Sequence, residues 1–308
     1  MIFLRGIFLK IASVAVFVCM SAIVKAVSDT VPAGETVFFR SIFAVPVILG
    51  WLLLQHDNLR DGLKTANPMS HLWRGVVGTT AMALTFTGLG LLPLPEVTAI
   101  GYAAPLFAVI LAAMFLGEQV RLVRLAAVFM GLIGVGIVLS PRLTTLNSDG
   151  LTDAETLGAV IVLASAVFVA LAHVFIRKLV ATEKTTAITF WFSITASVLS
   201  LMTLPFGWVL PDPVTFGLLV GAGLLGGVGQ ILLTSAYRYA PTAVIAPFDY
   251  ASMIFALILG YGLFGEVPTG RMLIGAAIVV AAGLLIIWRE QMLGISRKEQ
   301  RRAQTPQG

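Results

Sequence analysis

Residues 93–118 read PLPEVTAIGYAAPLFAVILAAMFLGE, and residues 241–266 read PTAVIAPFDYASMIFALILGYGLFGE. A shift of 148 lays Pro93 on Pro241, Tyr102 on Tyr250 and Gly117-Glu118 on Gly265-Glu266. Further out, a shift of 152 lays Ala12-Ser13 on Ala164-Ser165, Lys25 on Arg177 and Phe38-Phe39 on Phe190-Trp191. One unit is therefore written twice. Two apolar units joined in one chain are the sequence mark of membrane proteins that enclose a path between their halves.

Hydrophobic residues make up 58% of the chain and charged residues 11%, with a mean hydropathy of +0.97. A soluble domain needs about 25% charge to cover its surface, so the chain belongs in a bilayer. Ten apolar runs follow one another at 8–27, 37–54, 72–91, 96–116, 124–140, 157–176, 188–208, 216–237, 243–264 and 271–288. Each is close to the roughly 20 residues that cross a bilayer as a helix, whereas a β-barrel would show short alternating segments. The expectation is an all-α membrane protein of ten transmembrane helices, five per half. Arg5 ahead of the first run and Lys10 at its start give it the look of a cleavable signal peptide. Its counterpart from Ala164 to Ile176 is internal, so the first run is read as a span. The single Cys19 reads as a small apolar filler.

The 20 lysines and arginines settle the expected orientation. With the N-terminus cytoplasmic, all but Lys25, Arg40, Arg142 and Arg271 fall on the inner side, as the positive-inside rule requires. Both termini are then cytoplasmic. An odd number of spans per unit makes the second unit enter from the opposite face, so the two five-helix repeats, 5–140 and 157–288, are expected to be inverted. Residues 141–156, with Asp149, Asp153 and Glu155, form an external linker, and 289–308 a basic cytoplasmic tail suited to the anionic inner leaflet. The basic balance thus reads as membrane topology and not as nucleic-acid binding.

The stretch Leu92-Pro93-Leu94-Pro95-Glu96, Tyr102-Ala103-Ala104-Pro105-Leu106 and Phe115-Leu116-Gly117-Glu118 resembles the EamA module of the drug/metabolite transporter superfamily. Its partner runs Tyr239-Ala240-Pro241-Thr242, Ala246-Pro247-Phe248-Asp249-Tyr250 and Leu263-Phe264-Gly265-Glu266-Val267-Pro268. The resemblance covers about residues 5 to 288. It implies secondary transport through a central cavity between two modules, without a cofactor, in a superfamily whose members move amino acids, nucleotide sugars, riboflavin, S-adenosylmethionine and drugs. The wording around Phe248-Asp249-Tyr250 is similar to bacterial inner-membrane carriers, riboflavin-like importers included. The implied partner is a small solute: an amino acid, a riboflavin-like compound or another metabolite.

Ionisable residues inside the runs mark where chemistry would sit, because a charge at the centre of a membrane helix costs at least about 2.5–3.5 kcal/mol. Asp249 lies in the ninth run, about 9 Å from its cytoplasmic end. Pro247 leaves the carbonyl of Ala243 without its helical donor. Asp249 reads as an acceptor for a coupling proton or a cationic solute, or as the partner of a basic residue. Tyr250 and Tyr102 are expected to straddle the midplane about 10 Å apart in height as walls of a solute slot. Lys25 and Arg40 sit on the side poor in positive charge. They pair with Asp29 or Glu35, or hold an anionic solute at the outer mouth. His173 is a candidate for proton coupling or a buried, hydrogen-bonded histidine, and Arg177 snorkels to the interface.

Gln230 needs a partner or a solute. Glu118 and Glu266 follow glycines at helix C-termini and need cations, with Arg121 or Arg124 near the first and Arg271 near the second. The eighth run carries the GxxxG pairs Gly217/Gly221 and Gly223/Gly227, a mark of close helix packing. No G-x-x-x-x-G-K-[ST] loop, H-E-x-x-H pair or G-x-S-x-G serine occurs, which argues against an ATP-driven pump and against an intramembrane enzyme. A carrier working by alternating access is the leading expectation, with a channel or a non-transporting membrane subunit as the alternative.

Overall fold

The architecture comes from a computed structural model that describes residues 2–55, 58–116, 122–143, 153–240 and 242–304. Among these residues all regular structure is helical. The first half supplies α1 (Ile2–Val27), α2 (Ala33–Ile42), α3 (Ala44–Leu54), the short α4 (Leu59–Leu63), α5 (Pro68–Leu91), α6 (Leu94–Gly101), α7 (Ala103–Leu116) and α8 (Leu122–Leu143). The second supplies α9 (Asp153–Leu179), α10 (Thr185–Leu201), α11 (Pro213–Tyr239), α12 (Thr242–Ile245), a 3₁₀ turn (Ala246–Ala251), α13 (Ser252–Phe264) and α14 (Gly270–Gln304). Among the described residues six segments are long and apolar enough to cross a membrane: Leu4–Val27, Ala33–Leu54, Ala154–Leu179, Pro213–Tyr239, Ala246–Phe264 and Gly270–Arg289. Leu125–Ser140 and Thr185–Leu201 are shorter apolar helices.

Proline decides where the rods begin and break. Pro68 and Pro213 open α5 and α11, where a missing N–H costs nothing. Inside a helix the proline ring strips the carbonyl four residues back of its donor. Pro46 does this to Ile42, the last residue of α2, and Pro105 to Gly101, the last of α6. Pro247 does it at the 3₁₀ turn. The run expected over 188–208 ends as helix at Leu201, because Pro205 and the left-handed Gly207 (φ 94°) turn the chain.

The principal packing pairs are α1 with α11, α5 with α9, and α8 with α14. Exchanging the two halves converts the first pair into the second and returns the third to itself, so the packing carries the same internal symmetry as the sequence. Close approach relies on glycine. A Cβ at Gly134 would lie 2.9 Å from the Gly275 carbonyl oxygen, and one at Gly275 would lie 2.7 Å from that of Gly134. On α11, a Cβ at Gly223 would come within 2.4 Å of Phe43 and one at Gly227 within 2.9 Å of Val47. That GxxxG pair seats the α2–α3 junction. Gly217 has nothing within 4 Å and Gly221 only the tip of Ile23 at 4.0 Å, so the expected second packing pair does not form one. The linker from 144 to 152 and the segment from Gly117 to Arg121, with Glu118, lie outside the described residues.

Candidate functional site

The equivalent tyrosines mark equivalent helix breaks. Tyr102 separates α6 from α7, and Tyr250 lies in the 3₁₀ turn ahead of α13. Such breaks free backbone carbonyls and are tolerated at membrane depth only where protein or water satisfies them. Here side chains do part of that work. The Tyr102 hydroxyl donates to the Tyr250 carbonyl (3.1 Å) and lies 2.8 Å from the Ser252 hydroxyl. Ser252 donates in turn to the Asp249 carbonyl (2.6 Å).

The rings of Tyr102 and Tyr250 meet edge-on, centroids 4.9 Å apart. They are therefore not the separated walls expected from straight helices: the two breaks bring them into contact and close the slot between them. Tyr250 fits against α14 only because residue 283 is glycine, since a Cβ there would fall 1.5 Å from the tyrosine hydroxyl.

Asp249 has a basic partner. Lys10 Nζ lies 2.6 Å from Asp249 Oδ1, with the lysine side chain 1% exposed and the aspartate 32%. A buried ammonium and a carboxylate reachable by water form an asymmetric pair: protonating the aspartate leaves the lysine charge stranded. Lys10 also stands 5.5 Å from the Tyr237 ring centroid, and the His173 ring lies 5.9 Å from that of Tyr237. α1, α9, α11 and the 3₁₀ turn thus bring Lys10, His173, Tyr237 and Asp249 into one cluster. Gln230 is also buried, on α11, beside the Gly229 carbonyl that accepts from the Ser13 hydroxyl (3.0 Å).

Lys25 and Arg40 depart from expectation. Lys25 bonds neither Asp29 nor Glu35. Its Nζ reaches the carbonyls of Leu89 (3.2 Å) and Leu92 (2.8 Å) and Glu266 Oε1 (3.1 Å). Glu266 Oε2 accepts from the Leu94 amide (2.9 Å), so its cation is Lys25 and not Arg271. The pair lies where α1, the α5–α6 turn and the end of α13 converge, and it satisfies both the last carbonyls of α5 and the first amide of α6. Glu35 accepts from the Val209 amide (3.0 Å). Arg40 does not sit at a mouth: it is 1% exposed and donates through Nη2 to the Gly226 carbonyl (3.2 Å).

At the opposite end, Glu183 Oε1 accepts from the Thr65 hydroxyl (3.0 Å) and the amides of Ala66 (2.9 Å) and Asn67 (3.2 Å). Arg238 donates to Thr185 (3.1 Å) and to the Glu183 carbonyl. A cavity of about 670 Å³ opens there, with Arg5, Trp51, Gln55, Lys184 and Arg238 among its walls. Asp249 is not among them.

Sequence reasoning missed Lys10 and Arg74. Both lie two residues inside their apolar runs, where a basic residue reads as a flank; α1 and α5 begin well before those runs and carry them inward.

Paired helix breaks, a half-buried ion pair between the two halves and rods of bilayer length define a multi-pass membrane transporter. The chain belongs to the EamA-like transporter family, which matches residues 4–140 and 156–288. It is 30% identical to the pseudopaline exporter of Pseudomonas aeruginosa, over 90% of this chain and 94% of that one. It is 30% identical to the S-adenosylmethionine uptake transporter of Rickettsia bellii (83% and 84%). To the riboflavin transporter of Rhizobium johnstonii it is 31% identical (74% and 73%). A crystal structure sharing 20% identity superposes with a TM-score of 0.65, over 94% of this chain and 98% of that one, which speaks for the fold alone.

Proposed function

We propose that the protein is a secondary active transporter that moves a small organic metabolite across the bacterial inner membrane by alternating access. In this reading ten spans form two inverted repeats, 5–140 and 157–288, with both termini cytoplasmic and the 141–156 linker outside. The Lys25–Glu266 clasp belongs to the outer end, and the cavity walled by Arg5, Lys184 and Arg238 to the inner one. Relatives named for pseudopaline, S-adenosylmethionine and riboflavin support a metabolite-sized solute.

The observation that carries the reading is the Lys10–Asp249 pair beside a broken helix. A proton or a cationic group arriving at the partly exposed carboxylate weakens its hold on α1 and frees that helix to move against the 3₁₀ turn. Tyr102 and Tyr250 beside Asp249, His173 beside Tyr237, and the buried Gln230 are assigned to solute contact. The test is uptake into proteoliposomes of radiolabelled S-adenosylmethionine and of riboflavin, across pH 5.5–8, by wild type and by Asp249→Asn. The Lys10→Met/Asp249→Asn double variant keeps a neutral pair if the single variant folds poorly. Saturable uptake is expected in wild type, with loss of rate and of pH dependence in both variants. Full uptake with unchanged pH dependence in the double variant would remove Asp249 from the mechanism.

A further inference from the structure

Two guanidiniums lie in the interior without a carboxylate. Arg40 on α2 and Arg74 on α5 are 1% and 3% exposed, and no ion pair among the described residues includes either. Nε and Nη1 of both have no hydrogen-bond partner within the protein. Both guanidiniums pack on one aromatic ring, that of Phe192 on α10, at 5.5 Å for Arg40 and 3.9 Å for Arg74.

Room for each is made by glycine. A Cβ at Gly226 would fall 2.6 Å from Arg40 Nε, and one at Gly78 would fall 2.0 Å from Arg74 Nη1. By helix rise, Arg40 is about 10 Å from the start of α2 and Arg74 about 9 Å from the start of α5. Those two starts are at opposite ends of the bundle. The side chains therefore converge on Phe192 from both ends.

Burying one unpaired charge is costly, and burying two like charges against the same ring is more so. The surroundings do not neutralise them, yet they are rich in further polar groups. Ser41, Thr79, Ser193 and Thr234 are likewise buried without hydrogen-bond partners, and so are both ring nitrogens of His71, whose Nε2 stands 3.8 Å from Glu183 Oε1. Apart from Tyr250 and Arg289, every such group among the described residues belongs to α2, α5, α10 or α11. A guanidinium presents its donors in a planar fork that matches an oxyanion in bidentate fashion.

We infer that Arg40 and Arg74 together bind an oxyanion group of the transported solute, a carboxylate or a phosphate. The inference rests on the transport reading for its solute and adds a requirement on that solute's chemistry. Gly78 and Gly226 are then the cradles that let the two forks face one ligand, and Phe192 is the ring that keeps them apart when it is absent.

The test uses the purified full-length protein in maltoside detergent, which carries no phosphate, and follows thermal unfolding with succinate, inorganic phosphate or uncharged succinamide. Succinate or phosphate, whichever is the matching class, is expected to raise the unfolding temperature saturably, and succinamide is not. Arg74→Met and Arg40→Met are each expected to weaken the anion by roughly tenfold or more, as loss of a charge-assisted hydrogen bond does. They are also expected to leave the ligand-free protein as stable as wild type or more so, because an uncompensated charge has been removed. Equal response to succinamide, no response of wild type to either anion, or variants that unfold while ligand-free overturns the inference and makes the arginines structural. Uptake by wild-type proteoliposomes separates the two readings: anion binding without flux contradicts transport alone, and flux that survives both arginine variants contradicts the oxyanion site alone.

Discussion

At the scale of single residues, the behaviour of the charged groups is set by how much water each one keeps. Lys10 is enclosed while Asp249 is a third exposed, so the two partners are not equivalent. Asp249→Asn leaves an ammonium with neither partner nor solvent and is expected to destabilise by about 3 kcal/mol or more. Lys10→Met costs less, because the carboxylate recovers water. Chemical denaturation of the two variants and of the double variant checks this order, and equal losses contradict it. Gly283→Ala is expected to cost about 1–3 kcal/mol by overpacking, since its Cβ would occupy the place of the Tyr250 hydroxyl.

Asp212 gives a pH-dependent case outside the apolar spans. As the cap of α11 it accepts from the Val214 amide (2.9 Å) and the Thr215 amide (3.2 Å). The Thr215 hydroxyl and these amides hold its carboxyl below the usual carboxylate range. A depressed carboxylate contributes stability above its unfolded value that is lost as the pH falls through the folded one. The gap in unfolding temperature between wild type and Asp212→Ala is therefore expected at neutral pH and should close in strong acid.

At the scale of elements, breaks matter more than helices. Asp249 was legible in the sequence because a carboxylate inside an apolar run is conspicuous. The contact of Tyr102 with Tyr250 was not, because run lengths describe straight rods, and the prolines at 105 and 247 interrupt both rods beside the tyrosines. Lys10 and Arg74 were hidden for a related reason: hydropathy runs begin later than the helices that carry them. The partner of Glu266 was misread because sequence proximity favoured Arg271, whereas the converging helix ends bring Lys25. Restoring a donor at the second break is the direct probe. Pro247→Ala permits a hydrogen bond to the Ala243 carbonyl and is expected to hold or raise the unfolding temperature while slowing transport, measured as initial uptake rate. A less stable variant with unchanged rate would show that the break has no part in motion.

At the scale of the whole molecule, duplication was legible from the first alignment of the chain on itself, and the packing repeats it: α1 lies on α11 as α9 lies on α5. The halves differ where the chemistry gathers, since Asp249 stands where the first half has Gly101 and Gln230 where it has Met82. A symmetric frame with an asymmetric centre suits two-sided exposure of one site, and that is the central claim. It can be measured without knowing the solute, in a background where Cys19 is replaced by Ala, by placing a cysteine at Ser252 and labelling it in sealed vesicles with a membrane-impermeant maleimide from each side. Labelling from both sides is expected, with loss of the outer labelling alone when Lys25→Cys and Glu266→Cys are first joined by a short bis-maleimide. Labelling from one side only, or labelling from both that the outer cross-link leaves unchanged, would contradict it.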